Sequence, residues 1–292
     1  MPFHQLEIDI GPADPGPVEA ACLALGALAV SLADAGDHPI LEPAPGESPL
    51  WPEIRLRVLY PADVDPGIVA ATLTAVLTLP AEAIRIEYVE DRAWEREWLK
   101  DFRPMRFGRR LWVCPGGQRP HDPDAIVLEL DPGLAFGTGS HATTAMCLEW
   151  LDGQPPAGLR VLDYGCGSGI LALAALKLGA AAVCAVDIDP QALIATRSNA
   201  LRNDLVARLE LREARKQPEG DYDLVLANIL AAPLCQLAPE LAGLCPTGTV
   251  LLAGMLEAQA AEVADAYSPW FDIRTAARSD GWIALCGRRH VE

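Results

Sequence analysis

The segment from Val161 to Ala180, VLDYGCGSGILALAALKLGA, constrains the fold more than any other part of the chain. An apolar run ends at Asp163, and three glycines follow at alternate positions. A helical stretch then begins near Ser168 and runs to about Leu178. Glycine lets a backbone turn tightly and approach a ligand, because no Cβ atom is in the way. Free N–H groups at a helix start favour a negatively charged group. The segment therefore predicts a strand, a ligand-binding turn and a helix.

The spacing of these glycines distinguishes the turn from two other phosphate-binding patterns. The dinucleotide fingerprint reads Gly-x-Gly-x-x-Gly, whereas here Gly169 follows Gly167 by only two residues. The phosphate loop requires a Lys after its last glycine, and this chain has Ile170 there. The next apolar run ends in VDIDP. Asp187 in this run lies 22 residues after Gly165, where a carboxylate can bind ribose hydroxyls.

Three neighbouring residues have structural alternatives. Asp163 either faces the ligand or only caps the glycine turn. Asp189 and Pro190 suit the cap and the first position of the following helix, so we assign them structural roles.

The chain after Leu111 alternates apolar strands with helical stretches, which is typical of a parallel sheet buried on both faces. The predicted strands are Val161–Tyr164, Val183–Val186, Leu209–Leu211, Leu224–Ala227 and Val250–Ala253. The end of the chain differs, because Phe271–Arg278 and Trp282–Gly287 flank the turn residues Ser279, Asp280 and Gly281. This pattern predicts an antiparallel hairpin. The fold class is therefore α/β, with a Rossmann-like sheet.

The first ninety residues follow a different pattern, and 292 residues are more than one core usually fills. Phe3–Ile10, Ala27–Leu32, Ile54–Tyr60 and Ile84–Val89 read as strands, and helices are predicted from Gly16 and from Pro66. The order β-α-β-β-α-β predicts a ferredoxin-like α+β domain. We therefore expect a domain at 1–90, a linker at 91–110 and a second domain at 111–292.

The charged linker contains three aromatic residues at four-residue spacing, Trp94, Trp98 and Phe102. They would lie on one helical face. Packing between domains is the expected role, and stacking against a substrate is the alternative.

Charge and cysteine content limit the partners and the compartment. The chain has 23 Lys and Arg against 40 Asp and Glu, a formal charge of −17. This charge disfavours direct nucleic-acid binding and favours a basic partner, although it also simply promotes solubility. None of the eight Cys has zinc or redox spacing, so reduced thiols in the cytoplasm are expected. The amino terminus shows no signal peptide pattern, and no apolar stretch is long enough for a membrane span.

Two further segments carry polar candidates. The segment DPGLAFGTGSHATT, residues 131–144, is rich enough in glycine to lie close over a ligand. His141 in it invites acid–base chemistry, but no catalytic or metal constellation accompanies it, so a structural role is preferred. Asn228 follows the fourth strand, at the sheet edge where open α/β folds bind ligands. Its alternative role is to satisfy a buried loop.

Together these segments resemble the PrmA family, the bacterial ribosomal protein L-eleven (L11) methyltransferases. The resemblance rests on residues 131–144, 161–180, 186–200 and 227–234 and covers nearly the whole chain. It implies an N-terminal substrate-recognition domain, a linker and a class I methyltransferase domain with a seven-stranded sheet. It also implies that S-adenosyl-L-methionine (S-adenosylmethionine) donates methyl groups to lysine side chains and to the N-terminal amine of a basic ribosomal protein.

The resemblance also implies which residues form the site. The residues that would contact S-adenosylmethionine are Thr144, Gly165, Asp187 and Asn228. The segment from Asp163 to Gly169, which includes Gly167, would hold the cofactor. Phe136 and Gly137 would border the cofactor. Related amino-methyltransferases carry Asn-Pro-Pro-Tyr where this chain has Asn228 followed by Ile229, Leu230 and Ala231. Another residue must therefore enclose the target amine.

The expected reaction is attack of a neutral amine on the activated methyl group, with Asn228 orienting the amine. Three alternatives stay open. The chain could methylate another protein or a small amine. It could be a nicotinamide-dependent dehydrogenase, although the glycine spacing argues against this. It could also be a non-catalytic ribosome-assembly factor, although the retained polar set argues against that.

Overall fold

The structure is a computed structural model that describes residues 3–38, 40, 49–89, 103–131, 137, 139–215 and 218–290. The chain divides into two compact units, Met1–Ala93 and Trp94–Glu292. Each unit has its own sheet and its own core.

The described residues of the first unit form four strands and two helices. The strands are β1 Phe3–Gly11, β2 Ala29–Asp34, β3 Ile54–Pro61 and β4 Ile84–Val89, and the helices are α1 Pro15–Ala24 and α2 Pro66–Leu77. A short 3₁₀ turn covers Ala81–Ala83. The sheet order is β2-β3-β1-β4 and every neighbouring pair is antiparallel. This order of elements and strands is that of the predicted ferredoxin-like fold.

Local sequence signals explain these elements. Every second residue of β3, beginning with Ile54 and ending with Tyr60, is buried. At the start of α2, the Asp65 side chain accepts hydrogen bonds from the backbone N–H groups of Gly67 and Ile68. Pro66 occupies the first helical position, where its missing N–H costs nothing.

The second unit has ten strands and five helices among its described residues. The strands are β5 Met105–Phe107, β6 Leu111–Cys114, β7 Ile126–Glu129, β8 Arg160–Tyr164, β9 Ala182–Asp187, β10 Leu209–Glu213, β11 Leu224–Asn228, β12 Thr249–Leu256, β13 Phe271–Ser279 and β14 Trp282–Arg289. The helices are α3 Ala142–Gly153, α4 Ile170–Lys177, α5 Pro190–Arg202, α6 Ala231–Leu244 and α7 Ala260–Tyr267. Single 3₁₀ turns cover Val206–Arg208 and Glu257–Gln259.

Seven of these strands form the main sheet, in the order β10-β9-β8-β11-β12-β14-β13. The first five strands in this order, β10, β9, β8, β11 and β12, are mutually parallel. Strand β14 is antiparallel to β12, and β13 is antiparallel to β14. The predicted α/β class and seven-stranded sheet are confirmed. Strand order reverses at β8 and β11, and in an open α/β sheet the carboxyl ends at such a reversal form a crevice.

The final hairpin turns within two residues. Asp280 and Gly281 have φ angles of 52° and 78°, as this tight turn requires. Ser279 pairs with Trp282 and so belongs to β13, one residue beyond the predicted end of that strand. The turn places Trp282 opposite Leu256, the last residue of β12, at the carboxyl edge of the sheet.

A second, small sheet was missed by the sequence analysis. It has the order β5-β6-β7, and Met105–Phe107 pairs with Leu111–Val113. The end of the predicted linker is therefore a strand of the second unit, with Phe107 buried.

The predicted aromatic face of Trp94, Trp98 and Phe102 lies outside the described residues. Among the helices that the structure describes, none is both long and apolar enough to cross a membrane.

Candidate cofactor and catalytic site

A cavity of about 460 Å³ opens at the carboxyl ends of β8, β9 and β11. All but one of the residues predicted from the sequence line it, namely Gly137, Thr144, Asp163, Gly165, Gly167, Asp187 and Asn228. The exception, Phe136, lies outside the described residues. The described lining includes two carboxylates and neither Lys nor Arg, so the cavity suits a ligand with positive charge better than one with a phosphate.

The glycine turn after β8 requires glycine for two reasons. Gly165 and Gly169 have φ angles of +81° and +80°, which L residues rarely adopt. A Cβ on Gly165 would lie 2.3 Å from Cγ2 of Ile229, and one on Gly169 would lie 2.6 Å from Cγ2 of Thr196. The turn thus lies directly against the segment after β11 and against α5, with room for a ligand above it.

The Asp187 carboxylate lies at the end of β9 and binds two backbone amides. Oδ2 accepts a hydrogen bond from Gly167 N at 2.9 Å, and Oδ1 accepts one from Asp189 N at 2.9 Å. Each carboxylate oxygen has a further lone pair, so the group can still accept hydrogen bonds from ribose hydroxyls. Asp189 caps α5 by accepting from Gln191 N at 2.8 Å, with Pro190 next, as predicted.

Replacing Asp187 should separate cofactor binding from folding. We expect Asp187→Ala to weaken S-adenosylmethionine binding roughly 10- to 150-fold, since a hydrogen bond to a charged group contributes about 1.5–3 kcal/mol. Asp189→Ala is the matched control, because it removes a cap from the same region without touching the cavity. Calorimetric titration should show weaker binding for the first variant alone. Equal dissociation constants for the two variants would remove Asp187 from the binding site.

Asp163 is buried, at 1% exposure, under the glycine turn. Its Oδ2 accepts a hydrogen bond from Ala172 N in α4 at 2.9 Å, so the side chain ties the end of β8 to the following helix. The pKa of this carboxyl is raised to about 7, mainly by burial and to a lesser extent by the charge of Asp187, while the hydrogen bond from Ala172 opposes the rise. Asp163 therefore has a structural contact, as the sequence analysis considered, and it also lines the cavity.

The raised pKa of Asp163 predicts a pH effect on stability. An unfolded Asp has a pKa near ~3.9, so from about pH 4 to 7 the folded chain binds the extra proton and stability falls as pH rises. Asp163→Asn has no such dependence. Its free energy of unfolding relative to wild type should rise by up to about 1.4 kcal/mol per pH unit from pH 5 to 7 and then level off. Urea unfolding without cofactor measures this, and parallel pH profiles would contradict it.

Asn228 is the last residue of β11 and reaches across to α3. Its Nδ2 donates a hydrogen bond to Oγ1 of Thr144 at 3.2 Å, and Thr144 is buried. Among the described residues, Thr144 is the hydrogen-bond partner of the Asn228 side chain. The bond holds one end of the amide, and Asn228 is also one of the residues that line the cavity.

Two further aromatic rings, those of His141 and Trp282, belong to residues that line the cavity. His141 caps α3, since its Nδ1 accepts a hydrogen bond from Thr143 N at 3.4 Å, in keeping with the preferred structural role, and the same atom lies 2.8 Å from Thr143 Oγ1. Its ring packs edge-on against Trp282, with centroids 4.8 Å apart. Trp282 was missed as a site residue, although the Asp280–Gly281 turn signal places it at the carboxyl edge of the sheet. It supplies an aromatic wall in the cavity that Asn228 borders.

Comparison with known proteins decides the family. A family model described as ribosomal protein L11 methyltransferase (PrmA) matches residues 2–290. The chain belongs to this family. It is 48% identical over 294 residues to the ribosomal protein L11 methyltransferase of Pseudomonas paraeruginosa (strain DSM 24068 / PA7), covering 100% of both chains. The relative from Azotobacter vinelandii is 48% identical over 291 residues, covering 99% of this chain and 100% of that one.

A solved structure agrees with this assignment. The ribosomal protein L11 methylase from Lactobacillus delbrueckii subsp. bulgaricus is 33% identical and matches with a TM-score of 0.59. The match covers 65% of this chain and all of that chain. Membership of this family excludes the nicotinamide-dependent dehydrogenase considered above, and the cofactor of the chain is S-adenosylmethionine. The glycine turn, the two carboxylates and the cavity volume all fit this cationic cofactor.

Proposed function

We propose that this enzyme transfers methyl groups from S-adenosylmethionine to lysine side chains and the N-terminal amine of ribosomal protein L11. The observation that carries the proposal is the arrangement of Asn228 and Asp187 at one cavity on a methyltransferase sheet. Asp187, which ends β9, has a carboxylate that can accept hydrogen bonds from ribose hydroxyls. Asn228, which ends β11, has an amide that can accept a hydrogen bond from an amine. Membership of the L11 methyltransferase family supports the substrate.

The cavity residues divide into cofactor-binding and amine-binding groups. Asp187 would accept hydrogen bonds from the ribose, and the exposed side chain of Ile188, 84% accessible, would cover the apolar face of the adenine. The glycine turn would bring its backbone close to the amino acid moiety. Bound S-adenosylmethionine supplies an electrophilic methyl group, so the protein contributes positioning and electrostatics.

The amine must arrive neutral, although a lysine amine has a reference pKa near ~10.4. Apolar walls, including Trp282, Ile170 and Leu171, line the cavity, and desolvation there favours the uncharged amine. Oδ1 of Asn228 would accept a hydrogen bond from an amine N–H and direct the nitrogen lone pair. The imidazole of His141 is engaged as a helix cap, and we assign the departing proton to water.

The charge of the first unit suits a basic protein substrate. Its described residues include three Arg, and all three pair with Glu7 or Asp9 on one sheet face. They also include eleven acids, Glu7, Asp9, Asp14, Glu19, Asp34, Asp37, Glu53, Asp63, Asp65, Glu82 and Glu87. The remaining surface charge of this unit is therefore acidic, which attracts a basic ribosomal protein and repels nucleic acid. We place the reaction in the cytoplasm, where ribosomal proteins are made.

Mass spectrometry of L11 after incubation with enzyme and cofactor tests the proposal. The expected result is a series of products that differ by single methyl groups, located on lysines and the N-terminus. Labelling of a different protein in a cell extract, with L11 unmodified, would favour the broader methyltransferase alternative. Cofactor binding without transfer to any protein would favour the assembly factor.

A further inference from the structure

Ser168, in the glycine turn, is fully buried and is hydrogen-bonded to a residue that lines the cavity. Its Oγ donates a hydrogen bond to the carbonyl oxygen of Gly137 at 2.6 Å, and Gly137 lines the cavity. A Cβ added to Gly137 would lie only 3.0 Å from this Oγ, which shows how closely the Gly137 backbone approaches the Ser168 side chain.

Asn199, on α5, makes a second link between the same two parts of the chain. Its Nδ2 donates to the carbonyl oxygen of Ser168 at 3.0 Å, and its Oδ1 accepts from Asp131 N at 2.9 Å. The side chain is fully buried, and both ends of its amide are engaged. Asp131 and Gly137 are thus both connected to Ser168, one through Asn199 and one directly.

We propose that Ser168 and Asn199 are positioning residues that set cofactor affinity without touching the cofactor. The inference deepens the proposed function, on which it rests. The two side chains fix Asp131 and Gly137 against the glycine turn before the cofactor arrives. Side chains that hold a binding site from behind raise affinity by reducing what must be ordered on binding. Each link is a buried hydrogen bond whose loss leaves an unsatisfied backbone group.

Asn203 provides a matched control on the same helix. It is also buried, and its amide bonds both backbone groups of Glu129, at 3.0 Å to N and 2.7 Å to O. Its Nδ2 also donates to the backbone carbonyl oxygen of Asn199 at 2.8 Å, so its side-chain bonds reach β7 and the backbone of its own helix but not the glycine turn. Removing Asn203 should therefore reduce stability as much as removing Asn199, without the same effect on the cofactor.

The experiment compares Ser168→Ala, Asn199→Ala and Asn203→Ala in the full chain by calorimetric titration with S-adenosylmethionine. We expect about tenfold weaker binding for the first two, about 1.4 kcal/mol, and a change within about twofold for Asn203→Ala at equally lowered melting temperature. At saturating cofactor the first two should keep the wild-type kcat and show a raised KM for cofactor. Hydrogen exchange of the Asp131 amide should accelerate in Asn199→Ala only.

Two results would overturn the inference. One is wild-type cofactor affinity in both Ser168→Ala and Asn199→Ala. The other is equal weakening in Asn203→Ala, which would indicate a general stability effect. Ser168→Ala removes a single oxygen atom, so it keeps the test valid if Asn199→Ala fails to fold. Failure of the wild-type chain to bind S-adenosylmethionine would refute the proposed function instead, so the two failures are distinguishable.

Discussion

A chain that begins at residue 103 should bind S-adenosylmethionine with unchanged affinity but methylate L11 at least roughly a hundredfold more slowly. A hundredfold loss corresponds to a contribution of about 2.7 kcal/mol from the first unit to substrate binding. The reason is the location of the parts. Every described residue of the cavity belongs to the second unit, whereas the first unit has its own sheet, its own core and an acidic surface. Its role in substrate recognition is a prediction that this truncation tests.

The starting residue matters because β5 lies before residue 111, where the predicted second domain begins. A chain beginning at Leu111 would lose β5, with the buried ring of Phe107 that lies against Gly139. It would also lose the hydrogen bonds that Asp152 accepts from the backbone of Arg109 and Arg110. We therefore expect the shorter chain to melt at a lower temperature than the chain from 103.

The measurement compares kcat/KM for intact L11 and for a short lysine peptide. Removing the first unit should lower kcat/KM for L11 and leave the value for the peptide unchanged, since the peptide lacks the rest of the L11 surface that the first unit would bind. Full activity of the truncated chain on L11 would refute the division of roles. Equal losses on both substrates would instead indicate damage to the catalytic unit.

The sequence was most informative where one local signal determines one element. The Asp65–Pro66 pair fixed the start of α2, and the alternation from Ile54 to Tyr60 fixed the buried face of β3. The small sheet escaped because β5, β6 and β7 have three or four residues each. Strands this short have too few residues for a periodic pattern, and their pairing depends on contacts distant in sequence.

The site followed the same rule. The carboxyl ends of parallel strands lie at one edge of the sheet, so the sequence predicts that Gly165, Asp187 and Asn228 lie close together. Trp282 needs the antiparallel pairing of β14 with β12, which apolar runs alone do not specify. Ser168 and Asn199 act through backbone groups on other elements, and such contacts leave no spacing pattern in the sequence.

Asn228→Ala should lower kcat for methyl transfer roughly a hundredfold, by analogy with the loss of one preorganised hydrogen-bonding group from a transition state. The residue ends a buried strand, and its Nδ2 bond to Thr144 holds the amide, whose Oδ1 would accept a hydrogen bond from the amine in the proposed reaction. Alignment of the lone pair matters most as the new bond forms. The variant should therefore lose more in kcat than in affinity for either substrate.

Two further variants separate the parts of this role. Thr144→Val keeps the shape of the side chain but removes the acceptor for Nδ2, so the amide can rotate and kcat should fall by less than in Asn228→Ala. Asn228→Asp keeps an acceptor but adds a charge that favours the protonated, unreactive amine, so its pH optimum should move upward. Denaturant unfolding of each variant without cofactor shows whether folding is intact. If Asn228→Ala and Asn228→Asp both turn over at the wild-type rate with saturating substrates, the amine is oriented by another group, and Trp282 becomes the next residue to replace.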